Sequence, residues 1–150
     1  MPGWFPFLLV AHVCLAVALL APSVILPFLL RRTADGASPG AATRTLMKLQ
    51  GSGTLIIGLG VAATGIALLA TLGIGLITRP WMLVALSLYA ANLLIAAFVS
   101  RPNLRRLIGL GASDPATWER RARRQRYVAY GMAAGTGLIG FLMSTKPELW

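Results

Sequence analysis

The chain has 150 residues, of which 57% are hydrophobic and 12% are charged, and its mean hydropathy is +0.73. A soluble domain of this length needs far more polar surface than this composition supplies, so the soluble classes are excluded. The net charge of +10 raises nucleic acid as a partner. The basic residues, however, are concentrated between particular apolar runs, as in membrane proteins whose positive loops face the cytoplasm. We therefore expect no nucleic-acid binding.

Four long apolar runs predict the fold class. A bilayer core of about 30 Å is crossed by roughly 20 helical residues, and continuous rather than alternating hydrophobicity indicates helices rather than barrel strands. We predict an all-α polytopic membrane protein, an antiparallel bundle of four transmembrane helices that forms one domain. The predicted helices cover about residues 4–31, 49–73, 81–100 and 115–144.

The first predicted helix is expected to stay in the protein and not to be a signal peptide. It has no positive region at its start, and its apolar run ends in Arg31 and Arg32 rather than in a small-residue cleavage site. Pro22 and Pro27 predict a kink in its second half. Cys14 is the only cysteine, which excludes an intramolecular disulfide and favours a small apolar side chain.

His12, in the same helix, is the one residue whose chemistry suits a prosthetic group. An ionisable residue within a membrane is a functional hypothesis by default, and imidazole is an axial ligand of haem iron. Met82 and Met143 are the candidates for a second ligand, because the topology puts them at a comparable depth. The alternative is a structural His12 that is hydrogen-bonded to a carbonyl, a hydroxyl or water. The sequence favours this structural role over haem b, and we predict no metal site.

The second and fourth predicted helices carry glycines at helical spacing. Gly51, Gly58 and Gly65 recur every seven residues, and Gly131 and Gly135 are four residues apart. Small residues let helix backbones approach closely in a membrane. We predict packing faces here, while frequent glycine in membrane helices is the simpler alternative.

The third predicted helix contains a polar cluster of Ser87, Tyr89 and Asn92. Asn92 needs a partner in the membrane, and a hydrogen bond to a neighbouring helix is worth about 0.6 to 2 kcal/mol. We expect such a structural role, with a ligand-facing role as the alternative. The short connection from the second helix predicts that the two are adjacent and antiparallel.

The fourth predicted helix is expected to begin outside the bilayer. Asp114 and Pro115 are typical of an N-cap and a first helical position, and no helix breaker follows until Pro147. The segment before the membrane would form a basic collar that contacts anionic lipid headgroups or an acidic partner. This collar contains Arg120, Arg121, Arg123, Arg124 and Arg126.

The basic residues predict the orientation of the bundle. Twelve of the 14 Lys and Arg residues lie between the first and second apolar runs or between the third and fourth, and only Arg79 and Lys146 lie on the other side. Because positive loops are retained in the cytoplasm, both termini should face outward. We predict a multi-pass protein of the bacterial cytoplasmic membrane.

Known catalytic patterns are missing from the sequence. The four carboxylates lie in connections or in the tail. The predicted spans therefore lack the acidic residues that proton relays and ion-coupled transporters usually need. A Ser-His-Asp set and a phosphate-binding loop are absent too. The sequence favours a protein that is not an enzyme without deciding the question.

Three sequence features carry a family resemblance: Ala11-His12-Val13 in a helix that ends at Arg31-Arg32, the glycine-rich second helix, and the closing segment 141–147 with Met143 and Lys146. With these, the chain resembles a family of uncharacterised four-helix bacterial integral membrane proteins. It is similar in outline to CopD-like domains and to haem-binding membrane protoporphyrinogen oxidases. The resemblance implies that His12 corresponds to the haem-ligand position of the oxidases.

Two functions are therefore expected to compete. The first is a non-catalytic accessory or assembly subunit that packs against other membrane protein subunits of a larger complex. The alternative is a haem- or porphyrin-binding redox or tetrapyrrole-handling protein that uses His12. A small channel or transporter would need a water-filled path lined by the polar cluster.

Overall fold

The computed structural model describes residues 3–32, 40–110 and 113–146. Four helices in these ranges are long and apolar enough to cross a membrane. We label them α1 (Phe5–Arg32), α2 (Ala41–Leu72), α3 (Pro80–Leu110) and α4 (Pro115–Thr145). For this part of the chain, the predicted all-helical, multi-pass class is confirmed.

Two of the four helices are longer than predicted. α2 begins at Ala41 rather than near residue 49, and α3 ends at Leu110 rather than near residue 100. The added segments Ala41–Lys48 and Arg101–Leu110 are amphipathic, so a search for continuous apolar runs misses them. The connection between the first two helices, predicted to run from about residue 32 to residue 48, therefore ends earlier than predicted, and its residues 33–39 lie outside the described ranges.

A π-helical turn interrupts each of these two long helices. One covers Leu49–Gly53 in α2, the other covers Ala96–Ser100 in α3, and the two turns lie against each other. A π turn accommodates one extra residue within an α-helix. Each turn thus joins the apolar part of its helix to the amphipathic part.

α1 has the central position in the bundle. It packs against α2 on one side and α4 on the other, and α4 packs in turn against α3. α2 and α3 approach each other mainly around the π turns and the amphipathic segments. The predicted adjacency of α2 and α3 therefore applies mainly to the end of the bundle that contains the π turns. At the other end they are joined through Gly73 and the short 3₁₀ helix Ile74–Thr78.

The main buried core lies at the end of the bundle where α1 and α3 end and α2 and α4 begin, which we call the basic end. Its members are Leu26, Leu30, Met47, Leu104, Leu107, Trp118 and Ala122. Burial of the apolar sides of the amphipathic segments stabilises them here at about 25 cal/mol per Å² of apolar surface. Along the spans, large apolar side chains such as Phe7, Ile56 and Phe98 are exposed, as a lipid-facing surface requires.

The start of α4 matches its predicted N-cap. The Asp114 carboxylate accepts a hydrogen bond of 3.1 Å from the Thr117 amide, and Pro115 takes the first helical position. This hydrogen bond satisfies one of the free amides at the helix start. Hydrogen bonding from the Thr117 side chain, and then from its amide, lowers the pKa of Asp114. The helix then runs without interruption through the basic segment into the apolar span. α1 likewise continues through Pro22 and Pro27.

Candidate functional site

His12 is held by a hydrogen bond between α1 and α2. Its Nδ1 lies 2.8 Å from the hydroxyl oxygen of Thr64. The Thr64 hydroxyl itself donates to the Gly60 carbonyl at 2.8 Å. Because a hydroxyl has a single hydrogen, we assign the shared proton to Nδ1, which donates to Thr64. The other ring nitrogen, Nε2, is then the one with a lone pair.

Gly65 makes room for this imidazole. A Cβ atom built on Gly65 would lie 3.2 Å from the Cε1 atom of His12, closer than an ordinary van der Waals contact. The hydrogen bond and the close packing that position His12 therefore both come from α2. Met82 at the start of α3 and Met143 near the end of α4 are half-buried. Their pairing with His12 around a haem stays a prediction.

The glycines of α2 receive side chains from two different helices. A Cβ on Gly51 would lie 3.8 Å from Leu104, an ordinary van der Waals contact, whereas a Cβ on Gly58 would lie 2.6 Å from Leu93; both leucines are on α3. Gly65 instead faces His12 on α1. Two of the three positions at the period of seven, Gly58 and Gly65, are therefore positions of close approach, and their partners lie on different helices.

The glycines of α4 have contrasting surroundings. A Cβ on Gly135 would lie 2.9 Å from the Oδ1 atom of Asn92, whereas a Cβ on Gly131 would meet no atom of the described chain within 4 Å. Gly135 is thus a packing position inside the bundle. Gly131 lies on the exposed side of α4.

The three polar residues predicted to cluster on α3 have different neighbours. Asn92 donates to the Met132 carbonyl at 3.2 Å and to the Thr136 hydroxyl at 3.1 Å, both on α4. Tyr89 donates from its hydroxyl to the Gly58 carbonyl on α2. Ser87 is exposed. Tyr89 and Asn92 thus join α3 to two neighbours, and Ser87 lies apart from them.

A small cavity lies between the four helices, beside Tyr89 and Asn92. Its volume is about 10 Å³, which is the space of one water molecule and far less than a tetrapyrrole needs. Its polar lining side chains are Ser23, Thr54, Tyr89, Asn92 and Thr136.

A second set of buried polar side chains lies at the basic end, and the sequence analysis missed it. Gln125 donates to the Ser100 hydroxyl at 2.8 Å, and Asn103 donates to the Gln125 side-chain carbonyl at 3.0 Å. All three side chains are buried. Gln50 in the α2 π turn donates to Ser23 at 3.4 Å. The signal for this set was the helical period beyond the apolar runs, which brings Ser100, Asn103 and Gln125 onto inward faces.

The predicted arginine collar surrounds the first turns of α4. Arg120, Arg123 and Arg124 are exposed, while Arg121 and Arg126 are half-buried. In the described ranges, one ion pair joins a collar residue to an acid: Arg123 lies 3.5 Å from Glu119. An exposed pair of this kind contributes little to stability.

The described residues contain no group of three or more His, Cys, Asp or Glu side chains that could hold a metal ion. Comparisons with protein-family models, with curated proteins and with solved structures gave no match to this chain.

Proposed function

We propose that this chain is a non-catalytic accessory or assembly subunit of a larger membrane complex. The observation that carries the proposal is the exposed face of α4. Gly131, Gly137 and Gly140 are exposed at different positions around the outer half of the helix, and a Cβ on any of them would meet no described atom within 4 Å. Glycines open to the outside of a bundle allow another helix to approach closely.

Two exposed aromatic residues of α4 also support an interface on this helix. Tyr127 and Tyr130 are exposed on α4, at 72% and 45% of their accessible area. Tyrosine supplies large contact area and a polar hydroxyl, and aromatic residues are enriched in interfaces. The partner that fits is a membrane protein subunit with a transmembrane helix.

The proposed orientation places the basic end in the cytoplasm and both termini outside, in the bacterial cytoplasmic membrane. It is supported by the positions of the exposed basic side chains, which α2, α3 and α4 all contribute to the same end. There the arginine collar would contact anionic headgroups at about 1 kcal/mol per residue.

Gly131→Leu tests the proposed interface. We expect the tagged wild-type chain, extracted from native membranes in mild detergent, to migrate in a complex larger than itself. Because leucine would keep a partner helix away, the variant should lose that complex. Ala90→Leu, at an exposed position on α3, is the matched control and should retain it. A wild-type chain that is recovered alone would contradict the proposal.

A haem- or porphyrin-binding protein is the second candidate, and the hydrogen bond of His12 favours it. An imidazole that ligates a metal usually donates its other N–H to a neighbouring acceptor, and Thr64 accepts in this way from Nδ1. The lone pair of Nε2 would then face the iron, with Met82 or Met143 as the second ligand.

The optical spectrum of the purified chain tests this candidate. A Soret band that is present in the wild type and absent in His12→Ala would support haem ligation by His12. Thr64→Val should shift or weaken the band, because it removes the acceptor that orients the ring. A sample that shows no Soret band after incubation with haemin, or a band that survives His12→Ala, would exclude His12 as the ligand.

A further inference from the structure

The small cavity between the four helices is lined by both polar and apolar side chains. The polar ones are Ser23 of α1, Thr54 of α2, Tyr89 and Asn92 of α3, and Thr136 of α4; the apolar ones are Leu19, Leu93 and Met132. Its volume of about 10 Å³ corresponds to one water molecule. The size restricts an occupant to a single small molecule, and the polar side chains favour one that forms hydrogen bonds.

Asn92 supplies one acceptor beside this cavity. Both of its recorded hydrogen bonds use the amide nitrogen, one to Met132 and one to Thr136. Within the described ranges, no hydrogen bond uses its Oδ1 atom. A carboxamide oxygen has two lone pairs and needs a donor when it is buried in a membrane.

Ser23 supplies a second set of polar atoms. It is 2% exposed, and its hydroxyl oxygen accepts from Gln50 at the long distance of 3.4 Å. Pro27 has no N–H, so the Ser23 carbonyl lacks the donor that an α-helix normally provides four residues later. The Oε1 atom of Gln50 is also buried without a hydrogen bond in the described chain. The polar groups near the cavity are therefore only partly satisfied by one another.

Thr54 completes the set from α2. Its side chain is 4% exposed, and its hydroxyl makes no hydrogen bond to another described residue. By contrast, the hydroxyls of Thr64 and Thr136 donate to carbonyls of their own helices. Thr54 thus retains a donor for an occupant of the cavity.

We propose that the cavity binds one water molecule, which bridges Ser23 and Thr54 to the Oδ1 atom of Asn92. A water molecule both donates and accepts, so it matches a lining that mixes hydroxyls with a carboxamide oxygen. A bare cation does not match, because the described residues that line the cavity include no carboxylate and an uncompensated charge in a low-dielectric site is very costly. The site would link α1, α2 and α3 at the centre of the bundle.

A structure of the full chain in lipid, at a resolution that shows other ordered waters, tests the proposal. We expect a solvent peak at hydrogen-bond distance, about 2.7–3.2 Å, from at least two of the Ser23 hydroxyl, the Thr54 hydroxyl and Asn92 Oδ1. The peak should be lost in Thr54→Val, which replaces the hydroxyl by a methyl group of similar size. Ser87→Ala, at the exposed serine of α3, is the control and should retain it.

A second variant and a thermal measurement complete the test. Ser23→Ala should also remove the peak, and if it does not fold, Thr54→Val decides alone. The midpoint of thermal unfolding should be the same in sodium, potassium and choline chloride at equal ionic strength. A wild-type cavity without a peak, a peak that persists in Thr54→Val, or a midpoint that depends on the cation would overturn the water site.

Discussion

Gly135 and Gly131 lie about one helical turn apart on α4 but have opposite surroundings. Asn92 fills the space above Gly135, and its amide is fixed by two hydrogen bonds to α4. Gly135→Ala should therefore force Asn92 away from Met132 and Thr136. We expect a loss of about 1–3 kcal/mol in stability, the usual cost of overpacking, measured by thermal or denaturant unfolding in detergent.

Gly131→Ala is the matched control for this substitution. The same methyl group there meets open space, and alanine is a better helix former than glycine by about 1 kcal/mol. We expect no loss of stability in this variant when the chain is purified without a partner subunit. Equal destabilisation by the two substitutions would show that Asn92 does not pack against Gly135.

Side-chain chemistry at single residues was partly predictable from the sequence. A buried asparagine in a span demands a partner on another helix, and Asn92 has one on α4. The identity of a partner depends on how each helix is rotated, which the sequence does not state. His12 thus reaches Thr64, a residue that the sequence analysis did not single out, and Ser87 lies apart from Asn92 although both are on one helix.

The N-terminus of α4 depends on the charge state of one carboxylate. The hydrogen bond from Thr117 lowers the pKa of Asp114 below its ordinary value of 3.8. A lowered pKa means that the carboxylate contributes stability above pH 3.8, and that this contribution is lost as the pH falls through the folded-state pKa. Melting of the wild type, followed by circular dichroism from pH 6 to pH 3, should show this loss.

Asp114→Asn separates this effect from other titrations. Asparagine is also a good N-cap, but it does not ionise. We expect the difference in melting temperature between wild type and variant to be constant near neutral pH and to shrink below pH 4. A difference that stays constant down to pH 3 would mean that the cap does not titrate.

At the scale of whole helices, cap residues predicted one helix terminus correctly, whereas apolar runs missed two. The start of α4 was predictable because Asp114 and Pro115 are a local signal. The start of α2 and the end of α3 were not, because their added segments are amphipathic and are stabilised by a core shared with α1 and α4. The two π turns had no sequence signal that we used.

Most basic residues of the whole molecule lie at one end, and the proposed orientation can be tested by cysteine labelling. In a Cys14→Ala background, Thr78→Cys lies opposite the basic end and Ser113→Cys lies within it. Both positions are exposed. We expect a membrane-impermeant maleimide to label Thr78→Cys in spheroplasts, and Ser113→Cys only after lysis. The reverse pattern would place the basic end outside.

The bonds from Asn92 to α4 also have a consequence for how the chain enters the membrane. Its partners Met132 and Thr136 follow 40 and 44 residues later in the sequence. During synthesis, α3 therefore reaches the bilayer with an unpaired carboxamide, before the helix that pairs with it has been made. A chain truncated before α4 would keep this amide without its two partners, and we expect it to be degraded faster than the full chain in a pulse-chase measurement.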